Sequence, residues 1–117
     1  MTIITAGDRP ISIERTRRGG FRVSRSVGGN GTSLLVFDGP DVEPVAKAVL
    51  GLVEAGATST ACAATSVPLV SGPPLLIRRM RDGTLQLSRE LSGGRAWMSL
   101  TDAVAVDVAL ALLAEVA

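Results

Sequence analysis

The amino-acid sequence contains two copies of one pattern. Residues 10–27 read PISIERTRRGGFRVSRSV, and residues 74–91 read PLLIRRMRDGTLQLSREL. At an offset of 64, identical residues of the two segments meet at Pro10, Ile13, Arg15, Arg17, Gly19, Ser24 and Arg25. Self-similarity at a fixed period is typical of one supersecondary unit used twice. The alternative is coincidence between two hairpins of similar composition. The shared turn, serine–arginine pair and following helical pattern favour duplication.

Each copy predicts four strands followed by a helix. Apolar and polar residues alternate in the strands, and glycines mark the turns between them. In the first copy we predict strands at 3–6, 11–16, 21–27 and 32–37, and a helix from 38–41 to 55–56. In the second copy we predict strands at 67–70, 75–79, 84–91 and 95–99, and a helix from residue 102 to the end. Residues 58–66 have no clear period and are interpreted as a connector.

These elements predict an α+β fold in a single domain, 1–117, made of two ββββα repeats. The repeats span 1–56 and 67–117, joined by 57–66. A meander with one helix cannot cover both of its faces, so we expect antiparallel sheets and helices packed around a pseudo-twofold axis. The last helix is apolar around its circumference. Two interpretations stay open: burial between its own sheet and the first helix, or a homodimer interface.

The composition argues against enzymatic chemistry. The chain has no histidine, so the usual general base and the commonest metal ligand are missing. One cysteine and scattered carboxylates offer no zinc-ligand spacing. We therefore predict no catalytic residues, no metal, no cofactor and no small-molecule substrate.

The sequence predicts a cytoplasmic protein. No basic segment leads a long apolar run, so no signal peptide is predicted. The longest apolar stretch, 103–117, is interrupted by Asp107 and Glu115 and is shorter than the ~20 residues of a spanning helix. The single cysteine, Cys62, fits a reducing compartment and is expected to be a small buried side chain.

Charge is segregated along the chain. Residues 9–31 hold six arginines and one acid, a local charge of +5, and residues 75–97 hold five arginines and two acids, +3. The helical segments 38–55 and 102–117 carry −3 each. A basic sheet layer is typical of proteins that bind polyanions. Alternatively, strand arginines simply oppose edge-to-edge aggregation.

Four arginines occupy equivalent places at the margin of the core. Each second strand begins apolar and ends in arginine in the same phase, and the third strands repeat this: the residues are Arg15, Arg25, Arg79 and Arg89. Guanidinium groups bind phosphate through paired donors, so these residues are candidate phosphate ligands. A strand bulge would instead turn them outward.

Other features are weaker indicators. The only aromatic residues are Phe21, Phe37 and Trp97, a poor platform for stacking bases. Trp97 is expected in the core, and a surface position is the alternative. The glycine-rich turn 28–31 lacks the phosphate-loop pattern and leads into a strand, so it is not interpreted as a nucleotide cradle.

The repeated unit resembles known families. GFRVSRSV, a turn and TSLLVFDGPDVEPVAKAVLGL, with RAWMSLTDAVAVDVALALL in the second copy, resemble the unit of the positive-coactivator-four, Whirly and Pur-alpha families. Those families bind single-stranded nucleic acid, and Pur-alpha places two such units in one chain. The resemblance implies that the strand residues facing nucleic acid are Arg15, Arg17, Arg22, Arg25, Arg79, Arg81 and Arg89. The segment from Phe21 to Gly56 also resembles bald-B-type developmental regulators of actinobacteria, which implies partner binding.

We therefore predict a non-enzymatic protein that binds single-stranded DNA or RNA, such as a transcription regulator, through the seven arginines just named. The alternative is a homodimeric interaction module, paired through the last helix, that acts as a phage, developmental or secretion-associated adaptor and binds no nucleic acid. Neither interpretation involves a membrane.

Overall fold

The computed structural model describes residues 2–5, 9–28, 31–56, 64–91 and 94–116. The first repeat comprises β1 (Thr2–Ile4), β2 (Ile11–Arg15), β3 (Phe21–Gly28), β4 (Gly31–Phe37), a 3-10 turn (Gly39–Asp41) and α1 (Val42–Ala55). The second comprises β5 (Ala64–Val67), β6 (Leu75–Arg79), β7 (Leu85–Leu91), β8 (Gly94–Leu100) and α2 (Asp102–Val116). Each repeat is an antiparallel meander with strands in sequence order, followed by a helix. The predicted α+β fold of two ββββα units is confirmed.

The two sheets share the predicted offset in their pairing register. Ile13 pairs with Val23 in the first sheet, and Ile77 pairs with Leu87 in the second, so both partners shift by 64 residues. A one-residue slip would turn every buried side chain outward. The duplication therefore extends to the arrangement of inward and outward faces.

The helices join the repeats into one core. The backbone of α1 comes close to β5 and β6 of the other repeat, α2 lies close to β1 and β8, and the two helices pack against each other. The inward faces of both sheets supply Ile11, Ile13, Leu75 and Ile77, each at most 1% exposed. Burying such a side chain contributes about 1.5–3 kcal/mol. The other face of each sheet is left open.

The apolar last helix has one strongly buried side. The buried side chains of α2 recur at helical spacing and are Val104, Ala105, Val108, Ala109 and Leu112. Leu110 lies outside this stripe and is 54% exposed. Packing of α2 against α1 and the sheets matches the first interpretation of its sequence.

The start of the second repeat differs from the sequence prediction. Its first strand is Ala64–Val67, three residues earlier than predicted, and part of the predicted connector is therefore strand. Pro68 cannot donate a ladder hydrogen bond, so the strand ends before it. Its last residue, Val67, pairs with Leu75, the first residue of β6. Cys62 and the two middle residues of the glycine-rich turn, Gly29 and Asn30, lie outside the described residues.

The entry to α1 also differs in detail. Asp38 makes no side-chain cap bond, and the 3-10 turn comes before the α-helix. Asp41, which is 4% exposed, accepts a hydrogen bond of 3.0 Å from the backbone N–H of Val70. This carboxylate therefore fastens the helix start to the segment between β5 and β6.

Candidate nucleic-acid interface

Two of the predicted site arginines donate hydrogen bonds to carbonyls in the last turns of the helices. Arg15 Nη2 donates to the carbonyl of Glu115 in α2 at 2.7 Å, and Arg79 Nη2 donates to the carbonyl of Leu52 in α1 at 2.9 Å. Each therefore bonds the helix of the other repeat. The last turn of a helix carries partial negative charge, so a guanidinium is favourable there. The carbonyl of Leu52 also accepts a hydrogen bond from the backbone N–H of Gly56 at 3.3 Å.

Two further predicted arginines cross the boundary between the sheets, where β4 lies beside β8. Arg25 Nη1 donates to the carbonyl of Ser99 at 2.6 Å, and Arg89 Nη1 donates to the carbonyl of Val36 at 3.3 Å. Val36 and Ser99 occupy equivalent strand positions, since their partners are Arg22 and Gln86. These bonds partner edge carbonyls that would otherwise be open to another strand.

The four arginines at the core margin thus connect the repeats through pseudo-symmetric bonds to main-chain carbonyls. Arg89 also donates to the carbonyls of Ser71 and Pro73, and Arg79 bonds Gly83 and the Asp102 carboxylate. The other predicted residues lie elsewhere. Arg17 and Arg81 are exposed in the β2–β3 and β6–β7 turns, and Arg22 is exposed on the open face of β3.

A different pair of arginines converges on the open face of the second sheet. Arg78 Nη2 and Arg95 Nη2 approach the same amide oxygen, Oε1 of Gln86, at 3.4 and 3.3 Å. Arg95 Nη2 also lies 3.2 Å from the hydroxyl of Ser88. Its nearest carboxylate oxygen is that of the exposed Glu90, 3.9 Å from Nε. Two cations therefore share a neutral acceptor, with little compensating negative charge.

Trp97 stands beside this pair. Its strand position is opposite Ser88, and its side chain is 50% exposed, so the expectation that it lies in the core is wrong. Met98, the next residue, occupies the inward phase and is 2% exposed. Leu34 and Val36 of the adjoining edge strand β4 are also exposed, at 39% and 42%. The open face thus combines an aromatic ring, apolar side chains and guanidinium groups.

The sequence prediction included the inward-phase strand arginines, the turn residues Arg17 and Arg81, and Arg22 of the open face, but it missed Arg78 and Arg95. The signal was available in the strand phase. Leu75, Ile77 and Arg79 share the buried phase of β6, so Arg78 belongs to the open face. The same alternation in β8 groups Arg95 with Trp97.

The helices carry exposed acids. Glu43, Glu54 and Asp107 are exposed on α1 and α2. Lys47 is 2.7 Å from Glu43, and its hydrogen bond and charge lower the pKa of that carboxyl. The exposed surface of the helices is therefore mainly acidic, whereas basic side chains lie on the open sheet face and in the hairpin turns.

No protein-family model and no curated protein matches this sequence. Among the described residues, no three cysteine, aspartate or glutamate side chains are grouped so as to hold a metal ion. Neither helix, over the residues described, has both the length and the apolar composition needed to cross a bilayer.

Proposed function

We propose that this chain is a non-enzymatic nucleic-acid-binding protein that binds single strands on the open face of the second sheet. The observation that carries the proposal is the convergence of Arg78 and Arg95 on one neutral acceptor beside the exposed ring of Trp97. A transcription-regulatory role is compatible with such binding.

The chemistry of this surface matches single-stranded nucleic acid. Stacking of a base on an aromatic side chain contributes about 1–3 kcal/mol and does not depend strongly on the base. Guanidinium groups bind phosphate oxygens through paired donors. Unpaired bases can lie on Trp97 while neighbouring phosphates contact Arg95 and Arg78, whereas a duplex keeps its bases stacked inside the helix.

The test is fluorescence anisotropy with a labelled mixed-sequence 20-mer at low salt, as DNA and as RNA. We expect Arg95→Ala and Trp97→Ala each to weaken binding about tenfold. The control is Lys47→Ala, which removes the same charge from the acidic surface of α1 and should change affinity less than twofold. Contacts of Arg78 and Arg95 with two phosphates predict a salt slope of about −1.4, at roughly −0.7 per contact.

The alternative function is a protein-interaction module, and the exposed apolar side chains Leu34, Val36 and Trp97 favour it. The same assay separates the two. No oligonucleotide binding at tens of micromolar protein, together with a dimer in light scattering that Trp97→Ala dissociates, would reject nucleic-acid binding in favour of a homodimeric module. Equal losses of oligonucleotide affinity in Lys47→Ala and Arg95→Ala would indicate that binding depends only on the net charge of the protein.

A further inference from the structure

The β2–β3 turn forms one wall of a basic groove. The groove has a volume of about 590 Å³ and lies between this turn and the end of β4. Its charged lining consists of Glu14, Arg15, Arg17, Arg18, Arg22 and Asp38. Four guanidinium groups and two carboxylates leave it net positive, and its size is that of small-ligand sites.

The turn is held firmly against the chain that leads into α1. Thr16 and Gly20 are joined by two hydrogen bonds, of 2.8 Å through the backbone and 3.1 Å through the Thr16 hydroxyl. A side chain on Gly20 would meet the carbonyl oxygen of Phe37 at 2.3 Å, and one on Gly39 would meet that of Gly19 at 2.9 Å. Backbone therefore packs directly on backbone, and the arginines project from a preorganised support.

The guanidinium groups of the groove are available to a ligand. No hydrogen bond or ion pair joins Arg17, Arg18 or Arg22 to another residue in the described part of the chain. Arg15 donates through Nη2 to the carbonyl of Glu115 and lies over the ring of Phe21, 5.5 Å from its centroid. Several guanidinium donors in one groove suit a compact anion with several oxygens.

We propose that this groove binds a phosphate monoester or oligophosphate, as carried by a free nucleotide or by a phosphorylated strand end. A monoester carries about −1.5 to −2 charges at pH 7, more than the single charge of an internal phosphodiester, so it gains most from this cluster. The site goes beyond the proposed function because its ligand is a small dianion and its main residues lie in a turn.

The second repeat provides a matched control. Arg81 is the repeat equivalent of Arg17 and is likewise exposed in a turn. Arg81 also lines a groove, of about 460 Å³, with Arg78, Arg79 and Asp82. There, however, Arg79 is paired with Asp102, Arg78 contacts Gln86, and Asp82 occupies the position equivalent to Arg18. Arg81 is therefore exposed and charged like Arg17, but the guanidinium groups around it already have partners.

The test is calorimetric titration of the full chain at low salt with adenosine triphosphate, and with a short oligonucleotide prepared with and without a 5′-phosphate. We expect one site for the nucleotide, or tighter binding of the phosphorylated oligonucleotide. Arg17→Ala should weaken either effect about tenfold, and Arg81→Ala less than twofold. Arg17 is exposed, and unchanged melting of the variant confirms folding.

Failure of this inference differs from failure of the proposed function. No nucleotide binding at millimolar concentration, with equal affinity for both oligonucleotides, overturns the groove site and leaves binding at the sheet face intact. Equal losses in Arg17→Ala and Arg81→Ala also overturn it, because the effect would follow net charge. Nucleotide binding that depends on Arg17 supports the groove even if no oligonucleotide binds to Trp97 and Arg95.

Discussion

The β2–β3 and β6–β7 turns share the same backbone hydrogen bonding but carry different side chains. Thr16 and Gly20 close the first turn with a backbone bond of 2.8 Å, and Met80 and Thr84 close the second at the same distance. The glycines that need positive φ, Gly19 at 83° and Gly83 at 89°, are also equivalent. Past the glycine, however, the first turn has a second glycine and the second turn has a threonine. Hydrogen bonding preserved the backbone, while the side chains diverged.

The arginines that precede the turns show the same divergence. Arg79 is 6% exposed and pairs with Asp102 at the start of α2. The equivalent of that aspartate is Asp41, but its carboxylate bonds the N–H of Val70 instead, and Arg15 remains exposed. The second repeat therefore uses its arginine as a buried, ion-paired cation. The arginine of the first repeat is exposed and donates through Nη2 to the carbonyl of Glu115.

The largest expected effect comes from disrupting the close packing of the β2–β3 turn against the end of β4. Gly20→Ala places a methyl group against the carbonyl oxygen of Phe37, so we expect the free energy of unfolding to fall by about 3 kcal/mol. Thr84→Ala, at the equivalent position, should change it by about 0.5 kcal/mol or less. Urea unfolding measures both. Equal effects would mean that the first turn does not pack tightly against β4.

The next largest effect distinguishes the contributions of Arg79 and Arg15 to stability. Arg79→Met leaves the carboxylate of Asp102 and two carbonyls without their cation, and we expect a loss of about 2–3 kcal/mol. Arg15→Met removes one exposed bond, so we expect a loss below about 1 kcal/mol. Thermal and urea unfolding of both variants provide the comparison. A larger loss of unfolding free energy for Arg15→Met than for Arg79→Met would show that Arg15, and not Arg79, is the arginine that stabilises the fold.

A smaller effect compares the edge strands. Trp97 and Leu34 face the solvent at equivalent positions of β8 and β4. We expect Trp97→Ala to weaken oligonucleotide binding about tenfold, or about 1.4 kcal/mol, and Leu34→Ala to change it less than twofold, because only the indole stacks on bases. Anisotropy titrations measure both variants. Equal losses would indicate apolar contact without stacking.

The smallest effect concerns titration of the second turn. The backbone N–H of Thr84 donates to the Asp82 carboxylate at 3.0 Å and its hydroxyl donates at 2.7 Å, and these bonds lower the pKa of Asp82. Because the folded pKa lies below the unfolded one, the bonds stabilise the turn above the ordinary aspartate pKa. That contribution disappears as the pH falls through the lowered value.

Thr84→Val should raise the pKa of Asp82 part of the way toward its ordinary value, since the backbone bond persists. Carbon NMR of the carboxyl group measures the change, with Glu43 on α1 as an internal reference. An unchanged pKa would show that the hydroxyl contributes nothing. The first turn has Arg18 at this position and therefore lacks the equivalent carboxylate.

The sequence determined the features that arise within a hairpin or a helix. The offset of 64 predicted equivalent pairing such as Ile13 with Val23 and Ile77 with Leu87, because alternation defines the buried face and glycine permits the tight turn. The helical segments followed from apolar spacing. The boundary of β5 was predicted wrongly because a short strand of small residues has little local signal and is defined by its partner β6.

Tertiary structure decided which arginines remain available. The sequence places Arg15 and Arg79, or Arg25 and Arg89, in equivalent phases, but the partners of Arg15 and Arg25 lie 100 and 74 residues away. Those partners are helix ends and edge carbonyls, which acquire their positions only when the repeats pack together. Strand alternation alone could place Arg78, Arg95 and Trp97 outward, yet their convergence depends on the register of three neighbouring strands. Periodicity is a property of the local chain, whereas the satisfaction of buried polar groups is a property of the assembled core.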